Sequence, residues 1–309
     1  MLIRDIPRTE LARLLRGGVH LDTGAFTTHL RWDVPDLAGA FAETYADYPV
    51  ETDPVVDDFR VAIARAFGGL HLLARKAQAF INGRPAFPPF PAGFAFPMLE
   101  ATLNWCIARH VFRYVTFHAG AVERGGRAVI LIGPSGSGKS TLCAALAHRG
   151  WRLLSDELVL LRPEGPEIVA NPRPISLKNE AIRLISALAP QARFGAAYEG
   201  TIKGTIRFLR APDEALAKAK VGAAPALVIS PSFRPDGPDE LKEMTKAKGF
   251  MWLVENSVNY YTALKSGFDA LSGLTDRCGF YELSYHDLDS AVAAIDRLHD
   301  ALPGGQEAA

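Results

Sequence analysis

Gly133-Pro134-Ser135-Gly136-Ser137-Gly138-Lys139-Ser140 fills the pattern G-x-x-x-x-G-K-[ST] at every fixed position. The apolar run Ala128-Val129-Ile130-Leu131-Ile132 leads into it, and Thr141-Leu142-Cys143-Ala144-Ala145-Leu146-Ala147-His148 follows at helical spacing. Strand, loop and helix in that order are the setting a phosphate-binding loop needs. Glycines let the backbone close around an anion and turn successive N–H groups inward. The helix behind the loop offers its positive end. The spacing predicts that Gly133, Ser135, Gly136, Ser137, Gly138, Lys139, Ser140 and Thr141 hold the phosphates of a nucleoside triphosphate. Lys139 would reach the β- and γ-phosphates, and the Ser140 hydroxyl would ligate Mg²⁺.

Outward from this loop the chain alternates strands and helices. Tyr114-Val115-Thr116-Phe117 and Arg127 to Ile132 read as strands, and the helix after the loop ends at Gly150. Trp151-Arg152-Leu153-Leu154 and Leu158-Val159-Leu160-Leu161 read as two short buried strands around a polar turn, Ser155-Asp156-Glu157. Ala226-Leu227-Val228-Ile229 is a further buried strand, closed by Ser230-Pro231, and Leu288 to Leu298 reads as a terminal helix. The pattern predicts an α/β fold with a nucleotide domain over 113–303 and a frayed tail over 304–309. Residues 1–112 read as a smaller α+β domain without catalytic motifs. Within it, Ile6 to Leu15 has amphipathic helical spacing, Phe59 to Ala64 and His71 to Arg75 look like strands, and Leu99 to Val111 looks like a helix. The Phe/Pro-rich stretch from Pro85 to Pro97 reads either as a ligand for a PxxP-binding partner or as a clamp on the domain surface.

Composition narrows the class. A chain of 309 residues with 48% apolar and 22% charged residues can bury a substantial core. Lys plus Arg and Asp plus Glu both number 34, so no global field draws it to nucleic acid or anionic lipid. Cys106, Cys143 and Cys278 lie far apart and form neither a disulfide framework nor a zinc spacing. The early charges of Met1-Leu2-Ile3-Arg4-Asp5 leave no apolar signal core, and no apolar run approaches the length of a membrane span. A cytoplasmic protein without a membrane or nucleic-acid partner is expected, while homo-oligomerisation stays open.

Phosphoryl transfer needs a metal, a group that orients the nucleophile, and positive charge on the migrating group. Asp156 and Glu157 are the candidates for the first two; the alternative is a pair of acids that merely solvate a hairpin turn. His118 ends the strand before the loop strand and is followed by Ala119-Gly120, a place where a histidine is equally at home as a structural residue. Arg173 and Lys178 lie in the Pro-broken stretch Asn171 to Asn179, and Lys203 and Arg207 lie in Ile202 to Arg207. A cation from either stretch could face transition-state charge or simply be solvated.

The run from Phe117-His118-Ala119-Gly120 through the loop to Arg149-Gly150-Trp151-Arg152-Leu153-Leu154-Ser155-Asp156-Glu157 resembles the core of bacterial HPr kinase/phosphorylase. It is similar in particular to the branch of HPr-kinase-related kinases called A, and Phe268-Asp269-Ala270-Leu271 and Tyr281-Glu282-Leu283-Ser284-Tyr285 look like that branch too. The resemblance implies a mixed-sheet fold shared with phosphoenolpyruvate carboxykinases, and an ATP- and Mg²⁺-dependent kinase acting on a hydroxyl. The acceptor would be a serine of a small protein or peptide, or alternatively a small metabolite; a nucleotide-sensing module without kinase activity is the reading from another class. It implies Asp156 as the catalytic base, Asp156 and Glu157 beside Ser140 at the metal, and His118 near the γ-phosphate. The chain lacks the family's Glu-x-Arg-Gly stretch after the acid pair, and Ile175-Ser176-Leu177-Lys178-Asn179 stands in that neighbourhood. Lys178 then becomes the candidate for the cationic role.

Overall fold

The computed structural model describes residues 1–53, 56–66 and 75–303. The strand expected over His71 to Arg75, save its last residue, and the tail over 304–309 lie outside these residues. Period-two alternation builds the first sheet: Phe59, Val61 and Ile63 turn inward on one strand, and Ala77, Ala79 and Ile81 on the next. Helix α1 (Arg8–Gly17) precedes strands β1 (Val19–Asp22) and β2 (Thr27–Trp32). Helix α2 (Leu37–Thr44) leads to β3 (Val50–Glu51), β4 (Phe59–Arg65) and β5 (Lys76–Ile81). The Phe/Pro stretch supplies two-residue edge strands, β6 (Arg84–Pro85) and β7 (Phe90–Pro91), where missing N–H groups cost no ladder bond. The sheet runs β3-β1-β2-β4-β5-β6, with β7 also on β5. Helix α3 (Ala95–His110) then crosses to the second sheet.

The second sheet carries the Gly133–Ser140 loop. Its strands are β8 (Val115–Arg124), β9 (Arg127–Ile132), β10 (Arg152–Ser155), β11 (Leu158–Arg162) and β12 (Glu167–Val169), with helix α4 (Lys139–Ala147) between β9 and β10. A small third sheet follows: β13 (Ile175–Lys178), helix α5 (Glu180–Leu188), β14 (Phe194–Thr201) and β15 (Gly204–Leu209), in the order β13-β15-β14. After the short helix α6 (Asp213–Ala217), the chain returns to the second sheet with β16 (Ala224–Phe233) and β17 (Glu240–Glu243). Helices α7 (Lys246–Asn256) and α8 (Tyr260–Arg277), strand β18 (Gly279–Tyr285) and helix α9 (Leu288–Asp300) complete it. The second sheet runs β12-β11-β8-β9-β16-β18-β17, with β9, β16 and β18 parallel and the outer pairs antiparallel. The chain is therefore α/β, built on several mixed sheets.

Both faces of this sheet are covered, which is why β9 is a continuous apolar run rather than an alternating one. Val129 and Leu131 face the cluster that includes α4, α9 and the first sheet, while Ala128, Ile130 and Ile132 face the cluster under α7 and α8. Strand β16 runs on through Ser230 and Pro231 to Phe233, beyond the end expected at Ile229. Proline is tolerated there because β9 has already ended, and beyond Ile229 the strand pairs only with β18.

Residues 1–112 meet the rest through a buried polar network. Arg173, weighed as a cation facing transition-state charge or a solvated loop charge, is buried, donates to Glu100 Oε2 at 2.5 Å and Asn104 Oδ1 at 2.8 Å, and does not line the cavity beside the Gly133–Ser140 loop. Tyr45 donates to the other oxygen of Glu100 at 2.5 Å, and Tyr48 donates to the Pro172 carbonyl at 2.8 Å. Removing one partner of a buried pair strands the other's charge. Arg173→Ala should therefore destabilise the fold by about 3–5 kcal/mol, read as a lower urea midpoint.

Candidate functional site

Strands β9, β16 and β18 all end at one edge, and the loop leaves β9 there. Gly138, at φ 97°, occupies a backbone region that L-residues rarely adopt. A Cβ on it would lie 2.4 Å from Tyr285 Oη, so this turn needs glycine. Lys139 folds back over the loop and donates to the Gly133 and Pro134 carbonyls at 2.7 and 2.9 Å. Burial holds its ammonium below the usual lysine range. Ser135, Gly136, Gly138, Lys139, Ser140 and Thr141 line a cavity of about 450 Å³. Gly133 and Ser137 stand behind that wall, and the buried Ser137 hydroxyl has no hydrogen-bond partner among the described residues.

The acid pair reaches the cavity by a route the sequence concealed. Strands β10 and β11 are not the two arms of a hairpin. Both pair antiparallel with the long strand β8, Ser155 opposite Ala121 and Leu158 opposite His118, so they form one line with a break in it. Glu157 sits at the break with φ 74°, the Leu158 N–H donates to the Asp156 carbonyl, and the Ser155 hydroxyl donates to the Leu158 carbonyl. In an unbroken strand, neighbouring side chains point to opposite faces. The left-handed turn at Glu157 lets Asp156 and Glu157 line the same cavity, at a backbone cost on the order of 1–2 kcal/mol. A solvated hairpin acid has no need of that strain.

Asp156 is buried, and neither carboxylate oxygen has a hydrogen-bond partner among the described residues. Burial first, and the neighbouring Glu157 charge second, push its pKa up to about 7, opposed by the Ser140 hydroxyl and the Lys178 and Lys139 ammonium groups. Gly120 makes room for this packing: a Cβ there would stand 2.3 Å from Cys143 Sγ and 3.7 Å from Asp156 Oδ1. His118 also lines the cavity, and burial together with the Lys139 charge holds its imidazole below the ordinary range. Lys178 ends β13, with its ammonium 3.8 Å from Glu157 Oε1. His118, Lys139, Asp156, Glu157 and Lys178 thus come together around one cavity.

Three contributors, Asn179, Phe233 and Tyr285, were not singled out for the site by the sequence. Asn179, at φ 50°, clamps the β14–β15 turn: its Nδ2 donates to the Lys203 carbonyl, and its Oδ1 accepts from the Thr205 N–H, each at 3.0 Å. The clamp brings Lys203 to the cavity wall beside Lys178. Phe233 and Tyr285 close the opposite end. Only the strand pairing of residues far apart in the chain assembles these groups. Arg207, weighed with Lys203, is engaged elsewhere, donating to the Gly195 carbonyl at 3.0 Å and lying over Phe194.

Hard oxygen donors suit magnesium: Ser140 Oγ, the unpartnered oxygens of Asp156, and Glu157 border one cavity. Among the described residues no helix is long and apolar enough to cross a membrane.

No known family profile matches the chain, and no curated protein matches it. The solved structure of the Hpr(Ser) kinase/phosphatase from Coxiella burnetii aligns over 60% of this chain and 97% of its own length, at 16% identity and a TM-score of 0.28. So loose a superposition leaves function to rest on the residues themselves.

Proposed function

We propose that the chain is an ATP-dependent phosphotransferase that moves the γ-phosphoryl group to a hydroxyl, a serine of a small protein or peptide. The observation that carries this reading is the buried, unpartnered carboxylate of Asp156, held beside Ser140 and Lys139 at the head of the glycine-rich loop. The sequence resemblance to HPr kinase supports the same assignment, and in this reading residues 113–303 form the kinase unit and residues 1–112 a smaller one. A nucleotide sensor has no use for a base at that place.

In this reading Asp156 takes the proton of the acceptor hydroxyl as the new O–P bond forms and the bond to the β-phosphate oxygen breaks. A pKa near 7 suits a base that must be free at working pH yet strong enough to take the proton. Ser140, Asp156 and Glu157 would hold Mg²⁺, which supplies positive charge to the phosphate oxygens when bound. Lys139 and Lys178 face the same negative charge, and His118, kept neutral, adds a polar contact without a further cation. Asn179 positions Lys178 and Lys203. Asn179→Gly tolerates the unusual φ but removes the clamp, and should lower turnover by roughly tenfold to a hundredfold with nucleotide affinity little changed. Steady-state rates and binding isotherms measured side by side check this.

Heavy-labelled ATP, Mg²⁺ and the purified protein, incubated with host lysate and followed by mass spectrometry, test the assignment. A phosphoserine that forms with wild type and fails to form with Asp156→Ala supports it. A labelled metabolite instead would redirect the acceptor to a small molecule. Loss of any dependence on Asp156 would refute the role of the carboxylate.

A further inference from the structure

Strand β16 is buried from Leu227 to Pro231, yet its last residue, Phe233, is 43% exposed. The exposed ring is not a stray surface group, because it lines the same cavity as the glycine-rich loop. Phe233 pairs in register with Tyr285, and their rings lie 5.6 Å apart with a tilt of 53°. Both border the last glycine of the loop: a Cβ on Gly138 would come within 2.4 Å of Tyr285 Oη and 3.9 Å of Phe233 Cβ.

Strand order gives this placement its meaning. In the series β8-β9-β16-β18 the loop leaves β9, His118 and the acid pair border β8 on one side, and Phe233 and Tyr285 end β16 and β18 on the other. The cavity has an acid end and an aromatic end, with the phosphate loop between them. Leu184 of α5 and Leu288 of α9 add an apolar wall. A triphosphate whose γ-phosphate faces Asp156 must direct its sugar and base away from the acids.

We infer that the exposed face of Phe233 is the seat of the nucleobase, with Tyr285 bracing the ring from its other side. This rests on reading the cavity as a nucleotide site. A π-face attracts every base, and stacking on one is worth about 1–3 kcal/mol without a hydrogen-bond code. The site therefore takes adenine and guanine nucleotides with comparable affinity.

Binding of ATP, GTP and inorganic tripolyphosphate, each with Mg²⁺, to wild type, Phe233→Ala and Phe233→Trp tests the assignment. Phe233→Ala should weaken ATP and GTP alike by roughly 5- to 150-fold. Tripolyphosphate should bind this variant as it binds wild type, and Phe233→Trp should retain nucleotide affinity. Unchanged nucleotide binding in Phe233→Ala would overturn the proposal, as would an equal loss of tripolyphosphate, which would make Phe233 a prop for the loop. A wild type that binds tripolyphosphate but gains nothing from the base would overturn the subsite and leave the phosphate site standing. If wild type binds neither, the nucleotide reading falls and the subsite with it.

Discussion

Asp156→Asn should bind nucleotide much as wild type does and lower phosphoryl transfer by roughly two to four orders of magnitude, the usual worth of a positioned base. The substitution preserves shape and removes only the ability to take a proton. With the carboxyl pushed up to about 7, wild-type kcat/KM should rise with pH and level off above that value. The asparagine variant should lose this ascending limb. Its stability should move the other way. In the folded chain Asp156 binds its proton more tightly than an ordinary carboxyl at 3.8 does, so its favourable contribution is complete below about pH 4. That contribution is lost as pH rises through about 7. Above that, a buried carboxylate has to stay ionised, at a cost on the order of 4 kcal/mol if the whole shift is expressed. Asp156→Asn should accordingly melt several degrees higher than wild type at pH 8, with the gap closing at pH 5. A gain in stability joined to a loss of turnover is what a functional carboxylate leads one to expect, and a structural one would not produce it.

Lys139→Ala should abolish measurable transfer while leaving the fold nearly intact. The ammonium donates to two loop carbonyls, Gly133 and Pro134, and the lysine itself lines the cavity. Those bonds are exchanged readily for phosphate oxygens, because charge-assisted contacts to an anion are stronger than bonds to neutral carbonyls. Losing one such preorganised donor costs about a hundred- to a thousandfold in rate. Loss of affinity for the triphosphate adds to that at limiting ATP. Circular dichroism and the thermal midpoint should change little, since no buried acid depends on this lysine for a hydrogen bond. A variant that kept its rate but unfolded early would assign Lys139 to loop structure alone.

Much of the second sheet was legible in the sequence because its signals are local. The run Arg127–Ile132 matched β9 at both ends, and the loop octapeptide lies between a strand and a helix as its pattern requires. The expected helices near Leu99 and Leu288 fall on α3 and α9. The small sheet of β13, β14 and β15 escaped notice because β14 and β15 carry neither an apolar run nor a clean alternation, and only their pairing makes them strands. The geometry of the acid pair escaped for a related reason. Trp151–Leu154 and Leu158–Leu161 look like two arms of a hairpin until β8, earlier in the chain, takes both as partners. Arg173 was misplaced because nothing local reveals that Glu100 waits for it across the fold. Phe233 reads in sequence as one more apolar residue after a proline, and only strand order reveals which end of the cavity it closes.

The most direct test of the account is a calorimetric titration of ATP with Mg²⁺ into wild type and Lys139→Ala at pH 8. The predicted result is saturable one-to-one binding by wild type and a large loss of affinity in the variant. Absence of binding by the folded wild type, or equal binding by both proteins, would contradict the assignment of Gly133–Thr141 as a nucleotide site.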